Sequence, residues 1–292
     1  MNSELIFNPR AQIVVDGDHF RVDAPVRHRG RICTQIDSKD GDAWRFLTRL
    51  ATAQSAQVVF TDAEVNIAAN LGLLIEPHAA SLLPHFSHPL SFTACDCCAA
   101  EASNCEILKN AHLIRDELTH QGYAIVKHCL PQAFAQALER YCGALVTEGY
   151  MRIDTRSDRW SIHNDPVGAG IHRNITALVQ RFVPTPIKPS YAYLVSYRPG
   201  AVLPRHVDRE QCEYTVSISL GQVPTVDSAS AWPLFIEPMA SSGPVEIRLG
   251  VGDAVIFRGR EVAHYREALA NSQAARALFL HFVPEHFTGN LD

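Results

Sequence analysis

Polar and apolar residues alternate along the C-terminal half of the chain, and this pattern predicts β-strands. One strand presents four apolar side chains on a single face: Tyr191, Tyr193, Val195 and Tyr197. A break at Arg198-Pro199-Gly200 ends it, since proline and glycine interrupt regular structure. A later strand has a small polar face made of three residues: Thr215, Ser217 and Ser219. Such a strand is typical of a barrel wall around a polar ligand.

The segments around these strands complete the predicted fold. From residue 104 onward, apolar residues recur at helical spacing, with a short strand (YAIVKHC) after Gly122. The polar, turn-rich stretch 154–170 predicts a loop over the mouth of a pocket. More strands follow Gly221, among them WPLFIEP, AVIFRG and RALFLHFVP. Because these strands do not alternate with helices, the predicted class is α+β, a barrel or jelly roll with flanking helices.

Residues 1–83 have a pattern of their own, which predicts a small separate module. Apolar segments around Asp16-Gly17-Asp18 predict a hairpin, and RICTQID predicts a third strand. Helical spacing covers 40–53, and Thr61 predicts the capping box of a second helix. With a wing strand at 73–75, the order resembles a winged-helix module, including the peptide-binding domains of ribosomal-peptide biosynthesis. A purely structural or dimerisation role is the alternative.

Residues 84–103 predict a linker between this module and a larger domain at 104–292, because prolines and serines are frequent there. Four cysteines lie in or near the linker: Cys95, Cys97, Cys98 and Cys105. Thiolates are good zinc ligands, so a structural or regulatory metal site is one hypothesis. The spacing does not contain two separate C-x2-C pairs, and ordinary thiols are the other hypothesis.

Composition narrows the classes of function. The chain has 292 residues, 26 Lys plus Arg and 31 Asp plus Glu, for a formal net charge of −5. No basic stripe suits a phosphate backbone, so we expect no nucleic-acid partner. No apolar run approaches the length of about 18 residues that a membrane span needs. The N-terminus lacks a signal-peptide pattern, so we expect a cytoplasmic protein whose cysteines are free thiols.

Three residues in the strand region predict a metal site. His206 and Asp208 are two positions apart, so on an extended backbone their side chains point the same way. His264 follows at the end of another predicted strand, after the segment GDAVIF. Two histidines and one carboxylate on one face of a metal leave the opposite face open, as in non-haem Fe(II) oxygenases.

With these residues in place, a family can be named. Residues 190–285, which carry Y-x-P-G, H-x-D, GDAVIF and a distal histidine, resemble the core of Fe(II)/2-oxoglutarate dioxygenases of the prolyl-4-hydroxylase-like branch. With the preceding helices, the resemblance extends from about residue 104. It implies a double-stranded β-helix, or jelly roll, that binds Fe(II) through His206, Asp208 and His264. It also implies 2-oxoglutarate and O2 as co-substrates.

The resemblance further implies a cation that binds the far carboxylate of 2-oxoglutarate. Arg276, at the start of the last strand, matches the family position, and a guanidinium can hold a carboxylate with two hydrogen bonds. Arg266, two residues after the distal histidine, is the competing candidate. Tyr197 matches a tyrosine of the co-substrate pocket, whereas Ser219 falls near a position where some relatives have another tyrosine. The polar face of Thr215, Ser217 and Ser219 could supply hydrogen bonds to the co-substrate carboxylate instead.

The expected function is therefore hydroxylation of a substrate by an Fe(II)/2-oxoglutarate-dependent dioxygenase. The substrate class that the N-terminal module suggests is a peptide or protein side chain. Two alternatives use the same metal site. One is an iron oxidase that works without 2-oxoglutarate, and the other is a metal-binding, cupin-like sensor that signals to the N-terminal module.

Overall fold

The computed structural model describes residues 6–7, 11–16, 19–26, 30–52, 61–71, 73–75 and 106–291. The contacts divide the chain into two compact units. The first is Met1–Pro84 with Leu145–Arg152, and the second is His85–Ala144 with Ile153–Asp292. The predicted linker and the cluster from Cys95 to Cys105 lie outside the described residues, so both stay predictions.

The described residues of the first unit form five short strands, one 3-10 helix and two α-helices. The strands are β1 (Ile6–Phe7), β2 (Gln12–Asp16), β3 (His19–Val26), β4 (Gly30–Ile36) and β5 (Leu74–Ile75). The helices are the 3-10 turn Ser38–Asp40, α1 (Gly41–Thr52) and α2 (Asp62–Asn70). Strands β2, β3 and β4 form an antiparallel sheet in that order, and β1 pairs separately with β5.

The predicted hairpin and capping box of this unit are confirmed. Strands β2 and β3 pair antiparallel up to Asp16 and His19. Thr61 accepts a hydrogen bond from the Glu64 backbone, while the Glu64 carboxylate accepts one from the Thr61 backbone. A single apolar core holds sheet and helices together, built from Phe20, Val22, Ile36, Phe46, Leu47, Ala68, Leu71 and Leu73. The winged-helix assignment itself stays a prediction.

The second unit contains most of the remaining elements. Its helices are α3 (Glu106–Lys109), α4 (Ala111–Gln121), α5 (Gln132–Thr147, whose last residues belong to the first unit) and α6 (Pro166–Val179). The strands from β6 to β11 are Tyr123–Val126, Arg152–Asp154, Arg159–His163, Ile187–Tyr197, Leu203–His206 and Tyr214–Val223. Those from β12 to β16 are Leu234–Ile236, Val245–Ile247, Ala254–Arg258, His264–Arg266 and Ala274–Pro284. None of the described helices is both long and apolar enough to span a bilayer.

These strands form two sheets. The larger has seven strands in the order β6-β14-β11-β16-β9-β8-β7, and the smaller has four in the order β10-β15-β12-β13. The pairs β11–β14, β11–β16, β9–β16 and β8–β9 are all antiparallel. This mixed architecture with a large antiparallel sheet is consistent with the jelly-roll core that the sequence predicts.

The expectation of a loop over 154–170 is wrong in part. Strand β8 lies inside this stretch and pairs with β9, with Arg159 opposite Tyr197. Helix α6 then begins within it, because the Asp165 side chain accepts a hydrogen bond from the backbone N–H of Val167 and Pro166 occupies the first turn. Proline suits that position, since the first helical N–H groups have no partner within the helix.

Candidate metal centre and co-substrate pocket

The three predicted metal ligands converge at one end of the smaller sheet. His206 ends β10 and His264 begins β15, and the antiparallel pairing sets these two residues opposite each other. Their ring centroids are 4.3 Å apart. The Asp208 Oδ1 atom lies 3.7 Å from His206 Nε2 and 3.6 Å from His264 Nε2. Two imidazole nitrogens and one carboxylate oxygen therefore face a common point.

The hydrogen bonds of both histidines leave the Nε2 atoms available. His206 Nδ1 lies 2.7 Å from the Pro204 carbonyl, and His264 Nδ1 lies 3.2 Å from the Val262 carbonyl. A carbonyl only accepts, so each Nδ1 carries the proton and each Nε2 keeps its lone pair. Burial lowers the pKa of His264, which favours the neutral form that binds metals. The donor set thus fits a divalent metal such as Fe(II).

Asp208 reaches this position because a glycine lies beneath it. The Asp208 backbone N–H donates to the Gly259 carbonyl at 2.8 Å. A Cβ atom at Gly259 would lie 2.5 Å from Asp208 Oδ2 and 2.5 Å from the Cys212 carbonyl oxygen. Any side chain there would displace the carboxylate or the turn that carries it. The sequence analysis did not single out Gly259, although it follows directly on the segment GDAVIFR.

The triad borders a cavity of about 420 Å³. Residues from both sheets line it, which places it between them. Its walls include Tyr191, Tyr193, Tyr197, Thr215, Ser217 and Phe279 from the larger sheet. Thr215 and Ser217 thus form the predicted small polar face toward a lumen. Ser219 does not line this cavity but a neighbouring one of about 30 Å³.

Arg266 lies in the main cavity with the triad. It is two residues after His264 on β15, so both side chains project from the same face of the strand. Its guanidinium donates to the Trp232 carbonyl at 2.6 Å and stacks 4.7 Å from the Trp232 ring centroid. Burial lowers its pKa to about 10, so it remains a cation at neutral pH. No carboxylate in the part of the chain that the structure describes forms an ion pair with it.

Tyr197 stands beside Arg266 at this end of the cavity, as the sequence predicted for a pocket residue. Its hydroxyl accepts a hydrogen bond of 2.9 Å from Arg159, and Arg159 also binds the Asp154 carboxylate at 3.0 Å. The phenolic proton of Tyr197 is therefore available to a further acceptor. Arg159 is not among the predicted site residues, because the turn-rich composition of 154–170 predicts a loop where the structure has β8.

Arg276 lies elsewhere. On β16 the cavity-lining residues are Phe279 and His281, so by alternation Arg276 projects from the opposite face. Its guanidinium forms an ion pair with the Glu139 carboxylate on α5 and donates to the Glu139 carbonyl at 3.1 Å. Arg276 borders only the small cavity. The structure thus brings Arg266 to the predicted ligands and leaves Arg276 outside their cavity.

A cluster of aromatic rings forms the wall on another side of the cavity. His163 lies 4.6 Å from Tyr191 and 5.0 Å from Tyr193, between ring centroids. Tyr191 lies 4.5 Å from His281. Burial, with several neighbouring cationic or titratable groups, lowers the pKa of His281 well below its usual value. This wall is therefore aromatic, with His281 in its neutral form, and the Arg209 guanidinium lies over the Tyr191 ring at 5.1 Å.

Comparison with known proteins identifies the fold. No protein-family model matches the chain, and no curated protein matches its sequence. A prolyl hydroxylase from Trichoplax adhaerens, in complex with a peptide fragment of a hypoxia inducible factor, is 16% identical with a TM-score of 0.52. It covers 62% of this chain and 93% of its own. Over the matched part, the chain therefore shares the fold of this prolyl hydroxylase.

A second solved structure supports this conclusion. The non-haem α-ketoglutarate-dependent epimerase SnoN from nogalamycin biosynthesis is 13% identical with a TM-score of 0.50, and it covers 60% of this chain and 83% of its own. α-Ketoglutarate is another name for 2-oxoglutarate. A prolyl-4-hydroxylase from Pseudomonas putida is 19% identical with a TM-score of 0.48. At these identities the likeness concerns the fold alone.

Proposed function

We propose that this protein is an Fe(II)/2-oxoglutarate-dependent oxygenase. The observation that carries the proposal is the convergence of His206 Nε2, His264 Nε2 and Asp208 Oδ1 at the wall of a cavity. Such a donor set binds iron on one face and leaves the opposite face open. Iron held there would activate O2, with oxidative decarboxylation of 2-oxoglutarate to succinate and CO2 supplying two electrons.

We assign Arg266, and not Arg276, as the anchor for the far carboxylate of 2-oxoglutarate. An anion that binds to a buried guanidinium without a carboxylate partner stabilises it, because burying an unpaired charge is costly. Arg266 is such a group among the described residues, whereas Arg276 already holds Glu139. Arg266 also projects from the same strand face as His264, which suits a co-substrate that spans metal and anchor.

Tyr197 and Ser217 support the same assignment. Tyr197 accepts from Arg159, so its own proton can go to the carboxylate that Arg266 binds. Ser217 is buried in the polar cavity face and offers a second hydroxyl. Ser219 is not part of this proposed contact, because it lines the smaller cavity and not the main one. The Arg266 guanidinium also favours a 2-oxoglutarate enzyme over an iron oxidase that works without this co-substrate.

One experiment separates the proposed function from its alternatives. The full-length protein, loaded with Fe(II) in the presence of ascorbate, is incubated with 2-oxoglutarate and O2, and succinate is measured. An oxygenase of this class releases succinate slowly even without its substrate, so iron-dependent succinate is the expected result. Iron binding without succinate would instead support the metal-binding sensor. Hydroxylation of the eventual substrate is the reaction type that we propose.

For the N-terminal unit we propose capture of an extended peptide. Its sheet order places β2 and β4 at the two ends of a three-stranded sheet. A peptide can add to such an end through main-chain hydrogen bonds. The related fold of the Trichoplax prolyl hydroxylase holds a peptide fragment, which makes a peptide side chain a reasonable substrate class for the oxygenase unit.

A shortened protein that begins at Ser103 tests the capture hypothesis. If it folds and binds iron, it should still release succinate from 2-oxoglutarate, because the proposed ligands and Arg266 are all retained. Its affinity for a peptide substrate should fall, while the turnover number changes less. An unchanged kcat/KM for that peptide would show that the N-terminal unit is a structural or dimerisation element.

A further inference from the structure

A hydrogen-bonded pair on the larger sheet lies directly behind Asp208. The Thr215 hydroxyl donates to Asp208 Oδ2 at 2.7 Å. The same hydroxyl oxygen lies 2.9 Å from His281 Nδ1. Thr215 and His281 are 2% and 7% exposed, so water competes little for these groups. Oδ2 is the carboxylate oxygen that does not face the two histidines.

The chemistry of the three groups fixes the direction of both hydrogen bonds. An ionised carboxylate only accepts, so the single proton of the Thr215 hydroxyl must point at Asp208. Toward His281 the hydroxyl oxygen can then only accept, which makes Nδ1 of His281 the donor. The resulting relay runs from the His281 Nδ1–H through Thr215 to Asp208 Oδ2. Hydrogen bonds in such a chain strengthen one another.

The relay is mounted on the rigid part of the fold. Thr215 on β11 and His281 on β16 are directly opposite each other in an antiparallel pair near the middle of the seven-stranded sheet. The His281 ring is further packed against Tyr191. Asp208, in contrast, follows β10 in a loop. The sheet can therefore fix the orientation of a carboxylate that its own backbone segment would leave free to rotate.

We propose that Thr215 and His281 are positioning residues that hold Asp208 as a ligand through one oxygen. This inference rests on the proposed metal site. With Oδ2 engaged by Thr215, only Oδ1 is presented to the point that His206 and His264 share. A carboxylate that bound the metal through both oxygens would occupy one more coordination position. That position is needed if both 2-oxoglutarate and O2 are to bind.

A second metal site is the competing interpretation of the same cluster, since Asp208, Cys212 and His281 also bring potential ligand atoms together. Two contacts argue against it. The Thr215 hydroxyl already binds Asp208 and His281, and the Cys212 sulfur lies 3.0 Å from the Tyr191 hydroxyl. Burial raises the pKa of the Cys212 thiol to about 12, so the thiolate that metals prefer is scarce.

The test uses Co²⁺ as a spectroscopic probe in the full-length protein, with two matched pairs of variants. Thr215→Val removes the hydroxyl at nearly constant volume, and Thr215→Ser restores it. His281→Leu removes the Nδ1 donor, and His281→Asn returns an N–H near the same place. Each variant is titrated with Co²⁺ for affinity and examined at saturation by visible absorption. Thermal melting of the metal-free proteins checks that each variant is folded.

We expect Thr215→Val to weaken Co²⁺ binding by about 10- to 100-fold, the usual cost of losing a partner of a metal ligand. His281→Leu should weaken it less, and the Ser and Asn variants should lie close to the wild type. At saturation, Thr215→Val should also change the visible Co²⁺ bands, because a released carboxylate can bind through both oxygens. A defect of packing alone would lower the melting temperature without altering that spectrum.

The outcomes separate this inference from the proposed metal site. Wild-type and Thr215→Val proteins with equal Co²⁺ affinity and identical spectra would overturn the positioning role and leave the metal site intact. Failure of the wild type to bind Co²⁺ or Fe(II) would overturn both. If Thr215→Val does not fold, the His281 pair decides, and His281→Leu and His281→Asn proteins with the same affinity and spectrum would refute the relay.

Discussion

The polar groups on the two sides of the second unit's larger sheet have different partners. On the outer face, Arg276 and Glu139 satisfy each other, and the Tyr141 hydroxyl binds the Asp165 carboxylate at 2.9 Å. On the cavity side, the Nε2 atoms of two histidines and the guanidinium of Arg266 face a space large enough for ligands. Charges that are paired within the protein stabilise the fold, whereas charges aimed into a cavity are positioned for something that the protein binds.

This contrast makes a general prediction. Substitutions on the cavity side should change ligand binding more than they change stability, because the polar atoms there are directed at the proposed ligands. Substitutions on the outer face should do the reverse. Each of the following variants tests this contrast between the two sides of the sheet.

The largest effect should come from the metal ligands. His264→Ala and His206→Ala each remove one of the two imidazoles, and two remaining ligands hold Fe(II) poorly. We expect loss of stoichiometric iron in both variants, measured by metal analysis after gel filtration, and loss of succinate release. The melting temperature of the metal-free proteins should change little. Full iron content in both variants would remove the basis for the proposed function.

The next largest effect should distinguish Arg266, which lines the main cavity, from Arg276, which is paired with Glu139. Arg266→Ala should weaken 2-oxoglutarate binding by about 2 to 5 kcal/mol, the usual cost of removing one partner of a buried charge pair. Arg276→Ala should leave that affinity unchanged but lower the free energy of unfolding by about 1 to 3 kcal/mol, since Glu139 loses a charge-assisted hydrogen bond. Titration of the metal-loaded proteins and denaturant unfolding measure the two quantities.

Arg266→Lys is the matched control for that comparison. A lysine keeps the positive charge but not the planar fork that binds a carboxylate with two hydrogen bonds. It should therefore recover only part of the affinity. If Arg276→Ala proves to be the variant that loses 2-oxoglutarate, the assignment returns to the position that the sequence suggested.

The same comparison shows what sequence could predict. His206 and Asp208 are two residues apart on an extended segment, so their common direction follows from local geometry alone. The hairpin at Asp16 and the capping box at Thr61 are equally local, and both were predicted correctly. The approach of His264 to this pair depends on the register of β10 against β15. Local sequence does not determine that register, and only the family resemblance indicated it.

Two residues that the sequence predicts as co-substrate contacts lie outside the main cavity. Alternation from Phe279 and His281 puts Arg276 on the outer face, and that signal was present in the sequence. Ser219 is a different case. Ser219 pairs with Ala277 in regular register and shares the face of Thr215 and Ser217, but it lies further along β11, beside the smaller cavity. Where the main cavity ends along β11 depends on side chains of distant strands, and local patterns do not reveal it.

A smaller effect on metal binding is expected at Gly259, whose backbone packs against Asp208. Gly259→Ala would add a Cβ atom within 2.5 Å of Asp208 Oδ2. Relief of that overlap should cost about 1 to 3 kcal/mol of stability and should weaken Co²⁺ or Fe(II) binding as Asp208 shifts. This variant should be an exception to the contrast between the two sides, because one substitution lowers both stability and metal affinity. Unaltered metal affinity would mean that the turn yields and Asp208 stays in place.

The smallest effect should follow loss of the Tyr197 hydroxyl. Tyr197→Phe keeps the ring that packs against Trp232 at a centroid distance of 5.0 Å, so the pocket should keep its shape. It removes one hydrogen bond to the proposed co-substrate and the contact with Arg159. We expect 2-oxoglutarate affinity to fall by about 0.5 to 1.5 kcal/mol, with iron content unchanged. Because Arg159 keeps Asp154 as a partner, stability should fall less than in Arg276→Ala.

A loss of 2-oxoglutarate affinity as large as that in Arg266→Ala would instead mean that Tyr197 works through Arg159, and Arg159 would then join the residues that bind the co-substrate.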